Sequence, residues 1–258
     1  MTDTQASDGN QPRTLSIDIG GTGIKASVLG ADGTMLHDRV RALTKYPMPP
    51  DSLVAAVHEL CAGLPEFERI SAAFPGVVRN GHVITAPAFV TVAGLGSDED
   101  PALVAAWHRF DLAGGLAGAL QRPARALNDA DMQGLDVVQG QGVEVVITLG
   151  TGFGSAFFED GRLGPHLEMA HHRFRKSQTY NEQLGDAARK DVGIDRWNNR
   201  VAKAIINLRV LANFDHLYIG GGNAKKLKID LEPDVSLVDN TAGILGGIRL
   251  WDGPALPH

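Results

Sequence analysis

The sequence contains a single cysteine, Cys61, among 258 residues. One thiol can form neither an internal disulfide nor a zinc site built from several cysteines, so we expect no structural zinc. A cytoplasmic location follows most simply, because disulfides mark oxidising compartments. No apolar run approaches the roughly 20 residues of a membrane-spanning helix, so we expect no membrane partner.

An excess of positive charge is also missing. Lysine and arginine total 24 against 30 aspartate and glutamate, which gives a formal net charge of −6. This balance argues against a nucleic-acid partner for the chain as a whole. A hydrophobic content of 43% is sufficient for one large or two modest domains. Residues 1–13 are polar and lack the apolar core of a secretory signal, so we predict a disordered leader.

A strand, glycine turn, strand pattern occurs twice. Apolar and polar residues alternate on both sides of residues 20–23, and the same pattern surrounds residues 150–154. Glycine lets backbone N–H groups approach a phosphate closely, and Asp18 beside the first turn suits a bridging divalent cation. A ligand-free hairpin turn would explain either copy alone. The repetition favours two phosphate-binding turns that face each other across a cleft.

Further polar residues follow predicted strands. Residues 124–127 read as a strand that runs into Asn128 and Asp129, at the strand end where open α/β sheets bind ligands. Either residue alone is equally typical of a helix N-cap. A polar run from His166 to Lys176 comes later, and the strand at residues 216–219 enters a turn of three glycines.

Two helix predictions concern packing. Asp51 is a plausible N-cap for a helix that begins there. A longer helix covers residues 197–213, and its apolar stripe predicts a core-facing side. The stripe consists of Trp197, Val201, Ala204, Ile205, Leu208 and Leu211.

Basic residues are frequent in the second half of the acidic chain. If they line one groove, they would bind a long polyanion with marked salt dependence. Solvated helix faces are the equally acceptable alternative. The residues concerned are Arg173, Arg175, Lys176, Lys190, Lys203, Lys225, Lys226 and Lys228.

Five ordered motifs resemble the ROK family of sugar kinases in the actin-like ATPase superfamily, and among them the polyphosphate glucokinases. The motifs are Asp-x-Gly-Gly-Thr, a strand ending in Asn-Asp, Leu-Gly-Thr-Gly, Glu-x-x-His and Gly-Gly-Gly. The resemblance implies an α/β, two-domain actin-like ATPase (ribonuclease H-like) fold with an interdomain cleft. It suggests domains at residues 14–127 and 128–239, with a C-terminal helix at residues 240–251 joining the first.

The resemblance also implies an activity, a hexose kinase that phosphorylates glucose or a related hexose at the 6-hydroxyl. Inorganic polyphosphate or ATP would be the donor, Mg²⁺ the cofactor, and a homodimer the assembly. Asp129 matches the catalytic base, and Asp18 would hold Mg²⁺ through water. The residues matched to sugar binding are Asn128, Asp129, Glu168, His171 and Glu182. Those assigned to phosphate or nucleotide binding are Asp18, Gly20, Gly21, Thr22, Gly23, Lys25, Gly150, Thr151, Gly152, Gly154, Gly220, Gly221 and Gly222.

One departure from the family pattern affects the sugar site. The family's Ala-Pro-Asn, whose asparagine contacts sugar, is Ala86-Pro87-Ala88 here. Loss of this amide would leave a sugar hydroxyl less well satisfied. A catalytically weak or silent sugar-binding or regulatory member of the family is therefore the alternative prediction.

Overall fold

The computed structural model describes residues 11–94, 97–238 and 242–252. Most of the predicted leader, residues 1–10, and Asn240 and Thr241 of the predicted C-terminal helix lie outside the described residues. Arg13, the last residue assigned to the leader, pairs with Glu68 at 2.7 Å. The chain is thus anchored from this residue onwards.

The first half of the chain alternates strands and helices. In chain order its elements are β1 (Thr14–Gly20), β2 (Gly23–Leu29), β3 (Val40–Ala42), α1 (Pro50–Cys61), β4 (Arg69–Phe74), β5 (Val78–Arg79), β6 (His82–Val83), α2 (Pro101–Trp107), α3 (Leu112–Leu120), β7 (Ala124–Asn128) and α4 (Asp129–Val137). Five of these strands form one sheet in the order β3-β2-β1-β4-β7, and β5 pairs with β6 as a separate hairpin.

The second half repeats this organisation. Its elements are β8 (Val143–Leu149), β9 (Phe153–Glu159), β10 (Arg162–Leu163), β11 (Arg173–Arg175), β12 (Gln178–Thr179), α5 (Tyr180–Leu184), α6 (Asp186–Val192), α7 (Ile194–Ala212), β13 (His216–Gly220), β14 (Val235–Leu237) and α8 (Ala242–Arg249). A second five-stranded sheet has the order β10-β9-β8-β13-β14, and β11 pairs with β12.

The two sheets share one topology. In each, three strands in sequence pair antiparallel; a later strand pairs in parallel with the first of them, and a further strand pairs in parallel with that one. Parallel pairing requires crossover connections, and these carry helices, with a single 3-10 turn at Ala224–Lys226 in the connection between β13 and β14. Each sheet buries its own core, with Phe74 and Trp107 in the first and Val145 and Trp197 in the second. The predicted repeat of strand, glycine turn and strand is therefore confirmed as the centre of both sheets.

Helix α8 returns to the first sheet. The Ser71 hydroxyl donates to the carbonyl of Gly247 at 2.6 Å, and the Trp251 indole donates to the Ser71 hydroxyl at 2.8 Å. A Cβ atom at Gly246 would lie 1.8 Å from the carbonyl oxygen of Met132, so only glycine permits this approach of α8 to α4. The domain boundaries given above stay a prediction.

Two packing predictions were wrong. Helix α1 begins at Pro50 with Pro49 as its N-cap and without a side-chain cap, because proline at the first position already has a helical φ. Asp51 lies within the first turn. Leu211 is 63% exposed although it shares the angular face of buried Trp197 and Leu208. It stands in the last turn of α7 at the edge of that face, whereas Ala212 and Phe214 beside it still pack in the second core.

Candidate active site

The first glycine turn is held by two hydroxyl groups. Gly21 and Thr22 form the two-residue turn between β1 and β2. Thr44 donates to the carbonyl of Gly20, and Tyr46 donates to the carbonyl of Gly21, both at 2.6 Å. In a trans peptide the N–H points opposite to the C=O. The N–H groups of Gly21 and Thr22 therefore point away from the two hydroxyls, and their predicted contact with phosphate stays a prediction.

Asp18 and Lys25 are cross-strand neighbours next to this turn. The Lys25 ammonium lies 2.7 Å from a carboxylate oxygen of Asp18, and both side chains are about one-third exposed. Lys25, predicted to bind phosphate, is thus paired with the predicted magnesium ligand. At Gly23, a Cβ atom would approach the carbonyl of Ala42 to 3.0 Å, which explains why glycine ends the turn.

The second and third glycine turns are in direct contact. The backbone N–H of Asn223 donates to the carbonyl of Leu149 at 2.8 Å, and its side-chain amide donates to that of Gly150 at 3.1 Å. Gly221 has a φ of +87°, and a Cβ atom there would lie 2.5 Å from the Leu149 carbonyl oxygen. No other residue fits both constraints. The structure therefore brings residues 149–152 and 220–223 together into one backbone surface.

Helices α5 and α6 support the second turn from the other side. The side-chain oxygen of Asn181 accepts a hydrogen bond from the N–H of Phe153 at 3.0 Å, and the N–H of Asp186 donates to the carbonyl of Gly150 at 3.1 Å. A Cβ atom at Gly152 would lie 2.5 Å from the Asn181 oxygen. The role of Asn181 is a long-range contact, so nothing in its local sequence indicated it.

Asn128 and Asp129 lie at the junction between β7 and α4. The Asn128 side-chain oxygen accepts from the N–H of Ala130 at 2.8 Å, and its amide donates to the carbonyl of Gly76 at 3.1 Å. Asn128 is therefore the N-cap of α4, as one of the two interpretations held. Because one amide hydrogen is used by Gly76, a second remains for another acceptor. The predicted sugar contact of Asn128 stays a prediction.

Asp129 combines access to water with an acidic protein environment. The residue is exposed at the strand end, so water reaches it, although the protein packed around the strand end still desolvates its carboxylate in part. Burial of the carboxylate and the nearby charge of Asp18 raise the pKa of Asp129 to about 7. The charges of Asp131 and Glu168 add to the effect, and a hydrogen bond from Ala130 offsets part of it. Asp18, Asp129 and Glu168 thus belong to one electrostatic cluster, although they come from both halves of the chain.

A buried ion pair behind this cluster was missed by the sequence reasoning. The Nδ1 atom of His166 lies 2.9 Å from a carboxylate oxygen of Asp131, and its Nε2 atom lies 3.5 Å from Glu168. Burial opposes the charge of His166, but the two carboxylates outweigh it and raise the pKa of His166 to about 9. His166 also lowers the pKa of Glu168 against the effect of burial. The polar run at residues 166–176 was a signal, but nothing in it indicated that Asp131 was the partner.

The other two predicted sugar ligands differ in placement. His171 ends the one-turn 3-10 helix Met169–His171 and is exposed, close enough to Glu168 that its charge lowers the pKa of that carboxyl. Glu182 instead completes a capping box at the start of α5. Its carboxylate accepts from the N–H of Thr179 at 2.8 Å, while its own N–H donates to the Thr179 hydroxyl at 3.1 Å. His171 therefore lies near the acidic cluster, whereas Glu182 caps the start of α5.

The donor set of the site suits a magnesium ion shared with a phosphate. Mg²⁺ is usually held by one or two carboxylates together with substrate phosphates and water. Asp18, the predicted ligand, is such a carboxylate, and its charge contributes to the raised pKa of Asp129. Among the described residues, no group of three or more histidine, cysteine, aspartate or glutamate side chains could hold a metal ion.

Within the part of the chain that the structure describes, no helix combines the length and apolar character needed to cross a bilayer.

Comparison with known proteins identifies the family. The ROK family model matches residues 14–185. Polyphosphate glucokinase of Mycobacterium tuberculosis (strain CDC 1551 / Oshkosh) is 29% identical over 251 residues, which cover 92% of this chain and 90% of that protein. N-acetylmannosamine kinase of Escherichia coli (strain SE11) is 29% identical over 155 residues, 58% of this chain and 48% of that protein.

Solved structures extend the similarity to the fold. The inorganic polyphosphate/ATP-glucomannokinase of Arthrobacter sp. strain KM has a TM-score of 0.76 and 28% identity, covering 92% of this chain and 97% of that one. A ROK family glucokinase from Streptomyces griseus, in complex with glucose and AMPPNP, has a TM-score of 0.69 at 15% identity, covering 92% and 98%. The predicted actin-like ATPase fold and enzyme class are confirmed. The chain belongs to the ROK family and is a sugar phosphotransferase.

Proposed function

We propose that this protein is a hexose kinase that transfers a phosphoryl group to the 6-hydroxyl of glucose or a closely related hexose. Asp129 is the proposed general base. The observation that carries the proposal is the acidic cluster of Asp18, Asp129 and Glu168 beside glycine turns, with the pKa of Asp129 raised to about 7. Similarity to polyphosphate glucokinases over 92% of the chain supports the choice of substrate class.

Each part of the site has a chemical role in this proposal. A base with a pKa near neutrality is unprotonated in a large fraction of molecules and still accepts a proton readily. Asp129 takes the proton of the attacking hydroxyl, while Asn128, Glu168 and His171 hold other sugar hydroxyls. Backbone N–H groups of the glycine turns bind the phosphates and stabilise the charge of the transferred group.

Asp18 is the proposed magnesium ligand, through water. The ion would neutralise phosphate charge, which reduces the repulsion between donor and acceptor. Lys25, 2.7 Å from Asp18, compensates part of that carboxylate's charge and keeps it oriented towards the turn. Asp18 and Lys25 therefore set the balance of charge next to the phosphate.

The phosphoryl donor and the hexose are each proposed as a small set of compounds. Inorganic polyphosphate is favoured by the similarity to polyphosphate glucokinases, and ATP is included because the glucomannokinase is described as using both. Ala88, the first residue of a 3-10 turn, has no side-chain amide for the sugar, which favours tolerance of more than one hexose. A cytoplasmic homodimer completes the proposal. Ile206 and Val210, exposed by 62% and 82% on α7, support self-association.

A coupled assay for glucose 6-phosphate tests the proposal, with ATP and with polyphosphate as donor and with glucose and mannose as acceptor. We expect turnover with at least one pair, lost on removal of Mg²⁺. Asp129→Asn should reduce kcat by about 10³-fold or more, since proton transfer and the acidic cluster are both disturbed. Asp136→Asn, which removes a half-buried carboxylate from the same helix, is the matched control.

Absence of turnover with every pair, in protein that is folded, would contradict the proposal. If such protein still binds hexose, the catalytically silent alternative is favoured. Unchanged activity of Asp129→Asn would remove Asp129 from the role of base and leave the reaction class intact.

A further inference from the structure

A basic cavity lies apart from the acidic cluster, between the β11–β12 hairpin and α7. Its volume is about 470 Å³. The hairpin contributes Arg175 and Lys176, and α7 contributes Arg196, Arg200 and Lys203. Lysines 176 and 203 and Arg175 were among the basic residues noted in the sequence, whereas Arg196 and Arg200 were not. Tertiary structure therefore brings five cations from two separate segments around one space, which we call the basic cavity.

The charge of the basic cavity is not compensated by ion pairs. Within the described residues, none of its five cations lies within 4.0 Å of a carboxylate, whereas Arg189 and Arg209 each form such pairs. Burial lowers the pKa of Arg200, and the charge of Arg175 lowers it further. The charge of Asp191 opposes these effects, and Arg196 adds a smaller lowering effect. Like charges held together at this cost indicate a site for an anion.

We infer that the basic cavity binds the distal part of an inorganic polyphosphate chain whose terminal phosphate lies at the glycine turns. This inference rests on the proposed function. It assigns the polyanion a second contact region outside the reacting centre and identifies the residues that form it. A run of phosphates carries one charge per unit, so several cations along its path add up to appreciable affinity.

The basic cavity is connected to the second glycine turn through α5. The carbonyl of Gln183 accepts from Arg200 at 3.2 Å, and its side-chain oxygen lies 3.4 Å from Arg175. Two residues later, a Cβ atom at Gly185 would lie 2.8 Å from the carbonyl oxygen of Thr151. Helix geometry then puts the guanidinium of Arg200 on the order of 10–15 Å from the turn. A long, flexible polyphosphate extends over such a distance, whereas a chain of only three phosphates is shorter than it.

The chemistry of the lining favours phosphate over a nucleobase. Among the described residues, the lining apart from the five cations consists of Asn199 and the small apolar Val192, without an aromatic ring. A base needs a flat apolar or aromatic surface for stacking, and this lining offers none. Arginine forks suit paired phosphate oxygens, and lysine adds charge without a geometric demand.

The test combines direct binding with donor kinetics. The variant Arg196→Gln/Lys203→Gln removes two cations that hold no hydrogen bond to the protein among the described residues, and Arg200→Gln is added in a triple variant. Controls are Arg39→Gln/Arg79→Gln and the same pair with Arg162→Gln, which remove equal charge from exposed sites elsewhere. Circular dichroism and Tm establish that each variant is folded.

We expect the dissociation constant for long-chain polyphosphate to rise at least 10-fold in the double variant and further in the triple variant, with a flatter dependence on salt. The KM for long-chain polyphosphate should rise in parallel, while kcat/KM for tripolyphosphate and for ATP should stay within twofold. Equal losses for long and short chains, or equal losses in the control variants, would overturn the inference.

Failure of the inference and failure of the proposed function give different results. Wild-type protein that uses ATP but binds no polyphosphate overturns the inference and leaves the hexose kinase standing. Wild-type protein that turns over no hexose contradicts the proposed function, and the inference that a donor occupies the basic cavity is lost with it.

Discussion

The imidazole of His166 lies 2.9 Å from the carboxylate of Asp131, and the two side chains are only 4% and 2% exposed. Asp131 follows the proposed base by two residues, and His166 precedes Glu168 by two. One buried ion pair therefore joins the two segments that carry Asp129 and Glu168 of the proposed sugar site. Because the pair keeps His166 charged, a cation is held behind a cluster of carboxylates that would otherwise repel one another.

Replacement of His166 by glutamine should reduce stability and sugar affinity together. Loss of one partner leaves the Asp131 carboxylate buried and unpaired, which costs about 3 kcal/mol and lowers Tm by about 6–12 °C. The KM for hexose should rise more than kcat falls, since Glu168 loses its orienting partner. Thermal melts and steady-state kinetics measure both. The double variant Asp131→Asn/His166→Gln should recover part of the stability, and a double variant that is no more stable than His166→Gln would contradict the pairing.

The same ion pair predicts a pH dependence of stability. The pKa of His166 in the folded protein is about 9, above the ordinary histidine value of about 6.5 expected for the unfolded chain. Its contribution is therefore complete below about pH 6.5 and is lost as the pH rises through about 9. Wild-type Tm should decline over this interval, and the decline should be smaller in the double variant Asp131→Asn/His166→Gln. Parallel curves for the two proteins would be evidence against a charged His166.

The ionised form of Asp129 should favour activity but reduce the stability of the fold. Its pKa is raised to about 7, so activity in kcat/KM should increase with pH through this value as the base loses its proton. The native state prefers the protonated form, so the ionised carboxylate destabilises the fold at pH 8. Asp129→Asn should be inactive yet more stable at pH 8, by about 2–4 °C in Tm after allowance for solvent access. At pH 3.5, where wild-type Asp129 is protonated as well, the difference should vanish.

Asp18→Asn should move the acidic limb of the pH profile. The charge of Asp18 is the second largest cause of the raised pKa of Asp129, after burial. Its removal should shift the acidic limb of the residual activity to lower pH, while kcat falls and the required Mg²⁺ concentration increases. A pH series at saturating Mg²⁺ measures the shift. If the acidic limb of the pH profile does not move, the charge of Asp18 does not act on the proposed base.

Gly221 and Gly222 form a matched pair for testing the contact between the second and third turns. Gly221→Ala places a Cβ atom 2.5 Å from the Leu149 carbonyl at a φ of +87°, so we expect a loss of about 2 kcal/mol or more and a higher KM for the donor. A Cβ atom at Gly222 meets nothing within 4 Å, so Gly222→Ala should preserve folding. Denaturant unfolding and donor kinetics compare them, and equal stability would count against the contact.

The repeated hairpins and the order of the chemical motifs could be predicted from the local sequence. Alternation on both sides of residues 20–23 and 150–154 is a local property, because side chains in a strand point to opposite faces with a period of two. Other features also follow from residues near one another in the chain. These are the glycine turns, the N-cap of α4 at Asn128 and the buried stripe of α7 up to Leu208. These features, with the family resemblance, were enough to predict the fold and the enzyme class.

Which charged side chains meet depends instead on the tertiary structure. Asp131 and His166 are 35 positions apart, and Asn181 supports a turn 28 positions away. The basic cavity joins a hairpin to a helix that follows it. Electrostatic pairing and desolvation depend on distances between segments, and the local pattern that makes a strand or a helix carries no information about those distances. The exposure of Leu211 has the same cause, since helical periodicity gives the direction of a side chain but not how wide a face of the helix the rest of the protein covers.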